Sequence, residues 1–266
     1  MKILLIGKNG QVGSDLVKLL EKNKISFIAL DRSDIDLSII ENIKEKILSF
    51  DFDHLINCAA YTKVDLAETE IELATKINAL AVAEMALACK EKNANLIHIS
   101  TDYVFAGDSK TPYLETDTTN PQSVYGMGKL QGEEFALRLN PKTWILRTAW
   151  VYGEAGSNFA KTISKLLESE KELAVVNDKI GAPTWSLNIA EAILNLIEIN
   201  PEYGIYNCTN QGEVSWFDFA QAIAITLQID KEIVKPVNSQ NFSRPAKRPS
   251  YSVLSNKKWI NAGLRP

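Results

Sequence analysis

Five short runs rich in Ile, Leu and Val alternate with longer amphipathic stretches through the first 150 residues. They cover residues 2–7, 25–31, 54–60, 95–100 and 143–148. Runs this short and this apolar fit strands covered on both faces. Residues 11–20, 41–50, 69–92 and 124–139 carry helical spacing between them. Strand and helix in strict alternation, joined by short connections, require parallel strands and right-handed crossovers. The expected fold class is therefore α/β, with a doubly wound parallel sheet.

The spacing changes after residue 150. Helical patterns recur at 158–167, 187–199 and 217–227, and strand patterns at 173–177 and 204–208. Gly181-Ala182-Pro183-Thr184 marks a loop. The last forty residues carry Pro236, Pro245, Pro249 and Pro266 with little periodicity. A length of 266 residues at roughly 150 per domain gives just under two domains. We expect a Rossmann domain over 1–150, with 186–209 returning to it. A smaller lobe would comprise 151–185 and 210–266.

Apolar residues make up 45% of the chain and charged ones 23%, which suits a full-sized core and excludes disordered, collagen-like and coiled-coil chains. The net charge of −4 offers no basic field for nucleic acid. Apolar runs such as Ile3 to Ile6 fall far short of the roughly 20 residues a membrane span needs. Met1-Lys2 opens directly into the first strand, without the pattern of a secretory leader. Cys58, Cys89 and Cys208 are odd in number and widely spaced, which fits reduced thiols in a cytoplasmic protein. Only His54 and His98 are available for a histidine metal site or a serine–histidine triad.

The first strand runs into Gly7-Lys8-Asn9-Gly10-Gln11-Val12-Gly13 and then into a helix. Glycines there permit a tight turn, backbone approach to a pyrophosphate and close helix–strand packing. The helix N-terminus adds unpaired N–H groups and the positive end of its dipole. The spacing is G-x-x-G-x-x-G rather than G-x-G-x-x-G, but its place after the first strand points to a dinucleotide. Asp31 ends the second strand, where a carboxylate accepts from ribose hydroxyls and favours NAD. Arg32 follows, and Lys8 lies in the loop, so either cation can hold the 2′-phosphate of NADP. The cofactor reads as NADPH or NADH. Small residues at Asn57-Cys58-Ala59-Ala60 suit either a flat ligand or a tight helix contact.

Tyr125 and Lys129 stand at i and i+4, on one face of a helix. An isolated tyrosine titrates near 10 and is a poor proton donor at neutral pH. An ammonium at ~4 Å, with an effective dielectric of ~20, attracts a phenolate by about 4 kcal/mol. That lowers the tyrosine pKa by at most ~3, less whatever desolvation removes. Ser100-Thr101-Asp102 ends the fourth strand. A hydroxyl there can orient a carbonyl beside the tyrosine, or simply cap a turn.

Together with Gly7–Gly13, three runs carry a family resemblance: Ser100-Thr101-Asp102-Tyr103-Val104-Phe105, Tyr125-Gly126-x-x-Lys129 and Arg147-Thr148-Ala149-Trp150-Val151-Tyr152-Gly153. The chain resembles the extended short-chain dehydrogenase/reductases, and more narrowly the dTDP-4-dehydrorhamnose reductase family. Gly181-Ala182-Pro183-Thr184 and Arg248-Pro249 match the same branch, so the resemblance covers nearly the whole chain. It implies reduction of the C4 ketone of dTDP-4-dehydro-L-rhamnose. Tyr125 would protonate the alkoxide, Lys129 would lower its pKa and hold the nicotinamide ribose, and Thr101 would bind the carbonyl. Cofactor contacts are implied at Gly10, Gln11, Val12, Asp31, Asp36, Leu37, Ala59, Ala60, Thr62 and Ile99. Sugar contacts are implied at Thr101, Asp102 and Trp150.

Two further assignments come from the residues themselves. The flat face of Trp150 suits the C–H face of a deoxysugar as well as it suits a core. Arg248 and Lys247 suit a diphosphate as well as a solvated basic turn. Trp216 and Phe217 read as core. Family members often continue beyond the point matching Pro266 with a further helix. Some bridge a dimer through a glutamate-bound metal, where this chain has Asp15. We therefore expect no magnesium site, and a monomer or weak homodimer. Two rival readings remain, a 4-ketoreductase for another nucleotide deoxysugar and a non-catalytic regulatory subunit of the same fold.

Overall fold

The computed structural model describes residues 1–169 and 171–265. The strands are β1 (Lys2–Ile6), β2 (Ser26–Leu30), β3 (His54–Asn57), β4 (Asn95–Thr101), β5 (Thr143–Thr148), β6 (Val151–Tyr152), β7 (Leu173–Val176), β8 (Ile180–Gly181), β9 (Thr184–Trp185), β10 (Gly204–Asn207), β11 (Val214–Ser215) and β12 (Val234–Val237). The helices are α1 (Gln11–Lys22), α2 (Ile43–Leu48), α3 (Val64–Ala67), α4 (Ile71–Thr75), α5 (Ala81–Glu91), α6 (Val124–Leu139), α7 (Phe159–Ser169), α8 (Ser186–Ile199), α9 (Trp216–Thr226) and α10 (Lys257–Asn261).

Six strands form the main sheet in the order β10-β5-β4-β3-β1-β2. Every pairing is parallel, in keeping with the α/β doubly wound class read from the sequence. Alternation along β1 explains the two covered faces. Leu4 and Ile6 enter one core with Ile43, Ile47, Val82 and Met85 from α2 and α5. Ile3 and Leu5 enter the other with Leu16, Leu20, Ile189 and Ile193 from α1 and α8. The strand order reverses between β1 and β3, and ligands of open α/β sheets bind in the crevice at such a switch point. The turns after β1 and β3 meet there. Gly7 has φ +94°, and a Cβ on it would lie 2.7 Å from the backbone nitrogen of Ala59.

Beyond β5, the short pairs β6–β9, β8–β11 and β7–β12 lie outside the main sheet. A separate core of Ile163, Leu167, Val175, Ala220, Ala224 and Val234 joins α7, β7, α9 and β12. Polar side chains of α1 tie it to the segment after β6 and to the start of α8. Gln11 Oε1 accepts from Asn158 Nδ2 at 2.9 Å, and Asp15 accepts from Ser186 Oγ at 2.5 Å.

The continuous helix expected over 69–92 is broken. α4 and α5 flank a π-helical turn, Lys76–Leu80. Asn78 in this turn is buried, accepts from the Tyr61 N–H at 2.8 Å and donates to the Tyr61 carbonyl at 3.0 Å. Its own carbonyl lies where a Cβ on Gly132 of α6 would sit, 2.2 Å away. The wider turn thus serves contacts made by residues distant in sequence. A similar close approach explains a second glycine of α6. Gly126 presses on the Tyr103 carbonyl, which a Cβ would meet at 2.3 Å.

Candidate active site

The phosphate-type turn ends at Gly10, the N-cap of α1, whose first turn receives no side-chain cap. Its N–H groups are therefore available to an anion. Gly13 is glycine for packing, since a Cβ would stand 2.1 Å from the Gly7 carbonyl oxygen. Gly10 is different. A Cβ there would meet its nearest atom, the Gly7 oxygen, only at 3.4 Å, so the protein itself does not require glycine. Space over Gly10 is what an approaching pyrophosphate needs. Val12 is buried beneath the turn.

At the end of β2, Asp31 accepts from the Ser33 N–H at 2.9 Å, the Ser33 hydroxyl at 2.6 Å and the Asn9 amide at 3.2 Å. These bonds and the Lys8 ammonium hold its carboxyl well below the usual range. Lys8 is clamped between Asp31 at 3.2 Å and Asp34 at 3.0 Å. Arg32 is the looser cation, 76% exposed and 3.3 Å from Asp36. Asp36 also accepts from the Ser38 N–H and hydroxyl. Leu37 is buried in the core, Ala59 and Ala60 are half-buried, and Thr62 is exposed on the turn after β3.

Thr101 closes β4 with its hydroxyl donating to Asp102 Oδ1 at 2.9 Å and accepting from the Tyr103 N–H at 3.2 Å. Tyr125 stands in the first turn of α6, where the Thr101 hydroxyl favours its phenolate. It packs edge-on against Tyr103, with centroids 5.5 Å apart. The sequence reading of the Tyr125–Lys129 pair requires correction. Lys129 is buried and does not turn to the phenol. Its Nζ donates to the Ile99 carbonyl at 2.6 Å and meets His98 Nε2 at 3.1 Å. Burial raises the Tyr125 pKa above its ordinary value, with the nearby Thr101 hydroxyl opposing. Burial also draws Lys129 down to about 8. Desolvation outweighs an attraction that the observed rotamer does not make.

Asp102 adds an unpaired acceptor. It is buried, its Oδ2 has no hydrogen-bond partner among the described residues, and burial pushes its pKa up to about 6. Below the site, Arg147 of β5 and Glu133 of α6 form a buried ion pair at 2.6 Å, joined by the Ser100 hydroxyl at 2.5 Å. This network fixes the strand ends that carry Thr101.

Trp150 stands at φ +47° and stacks on Trp216, with centroids 3.4 Å apart and planes 5° from parallel. Gly181 permits the indole's position, because a Cβ would fall 2.3 Å from the ring. Trp216 is half-buried, packed both in this stack and, as expected, against the core of α7, β7, α9 and β12. Arg248 donates to Asp65 at 2.7 Å and to the Tyr103 hydroxyl at 3.4 Å. With Lys247 it lines a small pocket of about 180 Å³ that also includes Asn120, Gln122 and Ser250. A larger cavity of about 680 Å³, lined by Leu19, Ile189, Asn195 and Trp259, contains none of the reactive residues.

The contact between Asn57 and His98 escaped the sequence reading. Both are buried polar residues facing each other across β3 and β4, with Asn57 Nδ2 3.0 Å from His98 Nδ1. The available signal was a pair of polar residues inside two apolar strand runs.

The sheet order and the glycine turn at its switch point define a Rossmann-type scaffold, with Thr101 at the end of β4 and Tyr125 and Lys129 on α6. The family model described as "RmlD substrate binding domain" matches residues 1–266, and the chain belongs to that family. A dTDP-4-dehydrorhamnose reductase from Mycolicibacterium smegmatis is 40% identical over 267 residues, covering all of this chain and 81% of the relative. The crystal structure of one from Clostridium acetobutylicum aligns with a TM-score of 0.93 at 43% identity, over 96% of this chain and 90% of that one. Another, from Bacillus anthracis in complex with NADP, aligns with a TM-score of 0.94 at 36% identity, over 99% and 93%. Among the described residues no helix is long and apolar enough to cross a membrane.

Proposed function

We propose that this chain reduces the C4 ketone of dTDP-4-dehydro-L-rhamnose to the alcohol, using NADPH or NADH. The observation that supports the reading is the Thr101–Asp102 hydrogen bond at the end of β4, with Tyr125 of α6 packed edge-on against the adjoining Tyr103. A reduced nicotinamide, when bound, supplies the hydride. The open backbone at Gly10 and the uncapped α1 N-terminus fit its pyrophosphate, with Gln11, Val12 and Gly13 in the first turn. Asp31 fits an adenosine ribose, and Arg32 suits a 2′-phosphate better than the clamped Lys8 does. Ala59, Ala60, Thr62 and Ile99 border the remaining path.

Thr101 and Tyr125 hydrogen-bond the ketone oxygen, which orients it and polarises it. Tyr125 passes its proton to that oxygen as negative charge develops there. Lys129 supports the resulting phenolate and the ribose hydroxyls. Asp102 Oδ2 accepts from a sugar hydroxyl, and the Trp150 face covers the deoxysugar. Arg248 and Lys247 meet the diphosphate. Residues 1–150 and 186–209 act as the dinucleotide domain, and 151–185 with 210–266 act as the sugar-nucleotide lobe. We read the chain as cytoplasmic and as a monomer or weak homodimer.

The test is NADPH or NADH oxidation on adding dTDP-4-dehydro-L-rhamnose, with the product identified. Stoichiometric oxidation with formation of dTDP-L-rhamnose is expected. No oxidation at any substrate concentration would move the chain to the non-catalytic reading, and turnover only with another 4-keto sugar nucleotide would change the substrate.

A further inference from the structure

The hydrogen bonds around His98 fix its tautomer. The Ala59 N–H donates to Asn57 Oδ1 at 3.0 Å, which settles the orientation of that amide. Asn57 Nδ2 therefore faces His98 Nδ1, at 3.0 Å. An amide nitrogen only donates, so Nδ1 must accept. Burial holds His98 well below the usual histidine range, and the ring is neutral. Its single proton then lies on Nε2, which faces Lys129 Nζ at 3.1 Å. An ammonium has no lone pair to receive that proton, whereas an amine has one. The same Nζ donates to the Ile99 carbonyl. One assignment satisfies every atom: Asn57 donates to His98, His98 donates to a neutral Lys129, and Lys129 donates to Ile99.

We propose that His98 is a positioning residue that parks Lys129 as a free amine, held in its Nε2–H form by Asn57. Uptake of one proton from solvent makes Nζ an ammonium, which can no longer accept from Nε2–H and is freed to turn towards Tyr125. The inference rests on the reading of Lys129 as the residue that serves Tyr125. The ionisable groups facing Nζ are few. Glu133 on α6 favours the ammonium, while Cys58 after β3 carries a thiol whose pKa burial pushes up to about 12. Burial outweighs Glu133 and draws the Lys129 pKa down to about 8, so the amine is accessible just above neutral pH.

The experiment is nuclear magnetic resonance of the whole free chain, with ¹⁵N-histidine and ¹³C-lysine labelling. The two histidines are told apart with His54→Gln, and Lys129 is assigned with Lys129→Met. A His98 ring carrying hydrogen on Nε2 at pH 7, with Lys129 titrating below the other lysines, is expected. An Nδ1–H ring, an imidazolium or an ordinary lysine titration would overturn the proposal. Asn57→Asp supplies a carboxylate that accepts from Nδ1–H. It should reverse the tautomer, leave Nε2 as an acceptor and raise the Lys129 midpoint by about 1–3 pH units. The kcat–pH profile should move the same way. A rise without tautomer reversal would assign the effect to charge alone and overturn the proposal. If Asn57→Asp fails to fold, the wild-type spectra decide. Failure of the reductase assay with the expected spectra would sink the function and leave the parked lysine standing.

Discussion

At the scale of single residues, the site depends on groups whose charges burial opposes. Tyr125 gives up its proton only if the site compensates, so removing its hydroxyl isolates that step. Tyr125→Phe should lower kcat by about 10²–10⁴-fold while cofactor affinity by fluorescence titration stays nearly intact. Wild-type turnover would remove the phenol from the mechanism. Asp102 offers a test by stability. Its carboxyl keeps a proton up to about pH 6 when folded, and only to about 3.9 when unfolded. Between those values the folded state binds more protons, so stability falls as pH rises. Above pH 6 the penalty is about 3 kcal/mol at 1.36 kcal/mol per pH unit. Asp102→Asn should therefore raise urea-measured stability above pH 6 and flatten its slope between pH 4 and 6, while raising KM. An unchanged slope would contradict the burial argument. At the adenosine end, Arg32→Ala should lower kcat/KM for NADPH more than for NADH. An unaltered ratio would eliminate Arg32 as the phosphate clamp.

At the scale of elements, α6 carries Tyr125 and Lys129 and is seated by the absence of side chains. Glycine inside a helix ordinarily costs about 1 kcal/mol against alanine. Gly132 and Gly128 should nonetheless respond with opposite signs. A Cβ at Gly132 would strike the Asn78 carbonyl at 2.2 Å, backbone that the π-turn cannot withdraw without losing its bonds to Tyr61. Gly132→Ala should destabilise by about 1–3 kcal/mol. At Gly128 the nearest atom would be 3.4 Å away, and Gly128→Ala should stabilise by up to about 1 kcal/mol. Chemical denaturation of both variants checks the pair, and equal effects would refute the packing account. The π-turn was invisible in the sequence for the same reason. Residues 69–92 are locally good helix formers, and only the distant partners Tyr61 and Gly132 make a wider turn favourable.

At the scale of the whole molecule, the main strands were legible because β-branched and leucine-rich runs have few alternatives in a sheet covered on both faces. Residues 143–148 and 124–139 fall on β5 and α6 without displacement. The pairs β6–β9 and β8–β11 were not legible, since strands of two residues carry no period. Tyr125 and Thr101 could be read together because each sits at the end of a well-marked element. The lysine's rotamer could not, because it depends on His98 of β4 and on that residue's Asn57 partner from β3. Gln11 joins the turn after β1 to Asn158, beyond β6, so occupation of that turn should steady both regions. A cofactor at 100 times its Kd adds about 2.7 kcal/mol, which should raise Tm by about 5–10 °C for a chain of this size. Gln11→Ala should shrink the rise, and an undiminished rise would show that the link carries none of it. The stack of Trp150 on Trp216 gives the molecule an optical handle of its own. Two indole transition dipoles held face to face couple, and the resulting split circular-dichroism band should vanish in Trp216→Phe. A sugar nucleotide that displaces either ring would alter that band before any chemistry occurs, so ligand arrival can be followed without a label.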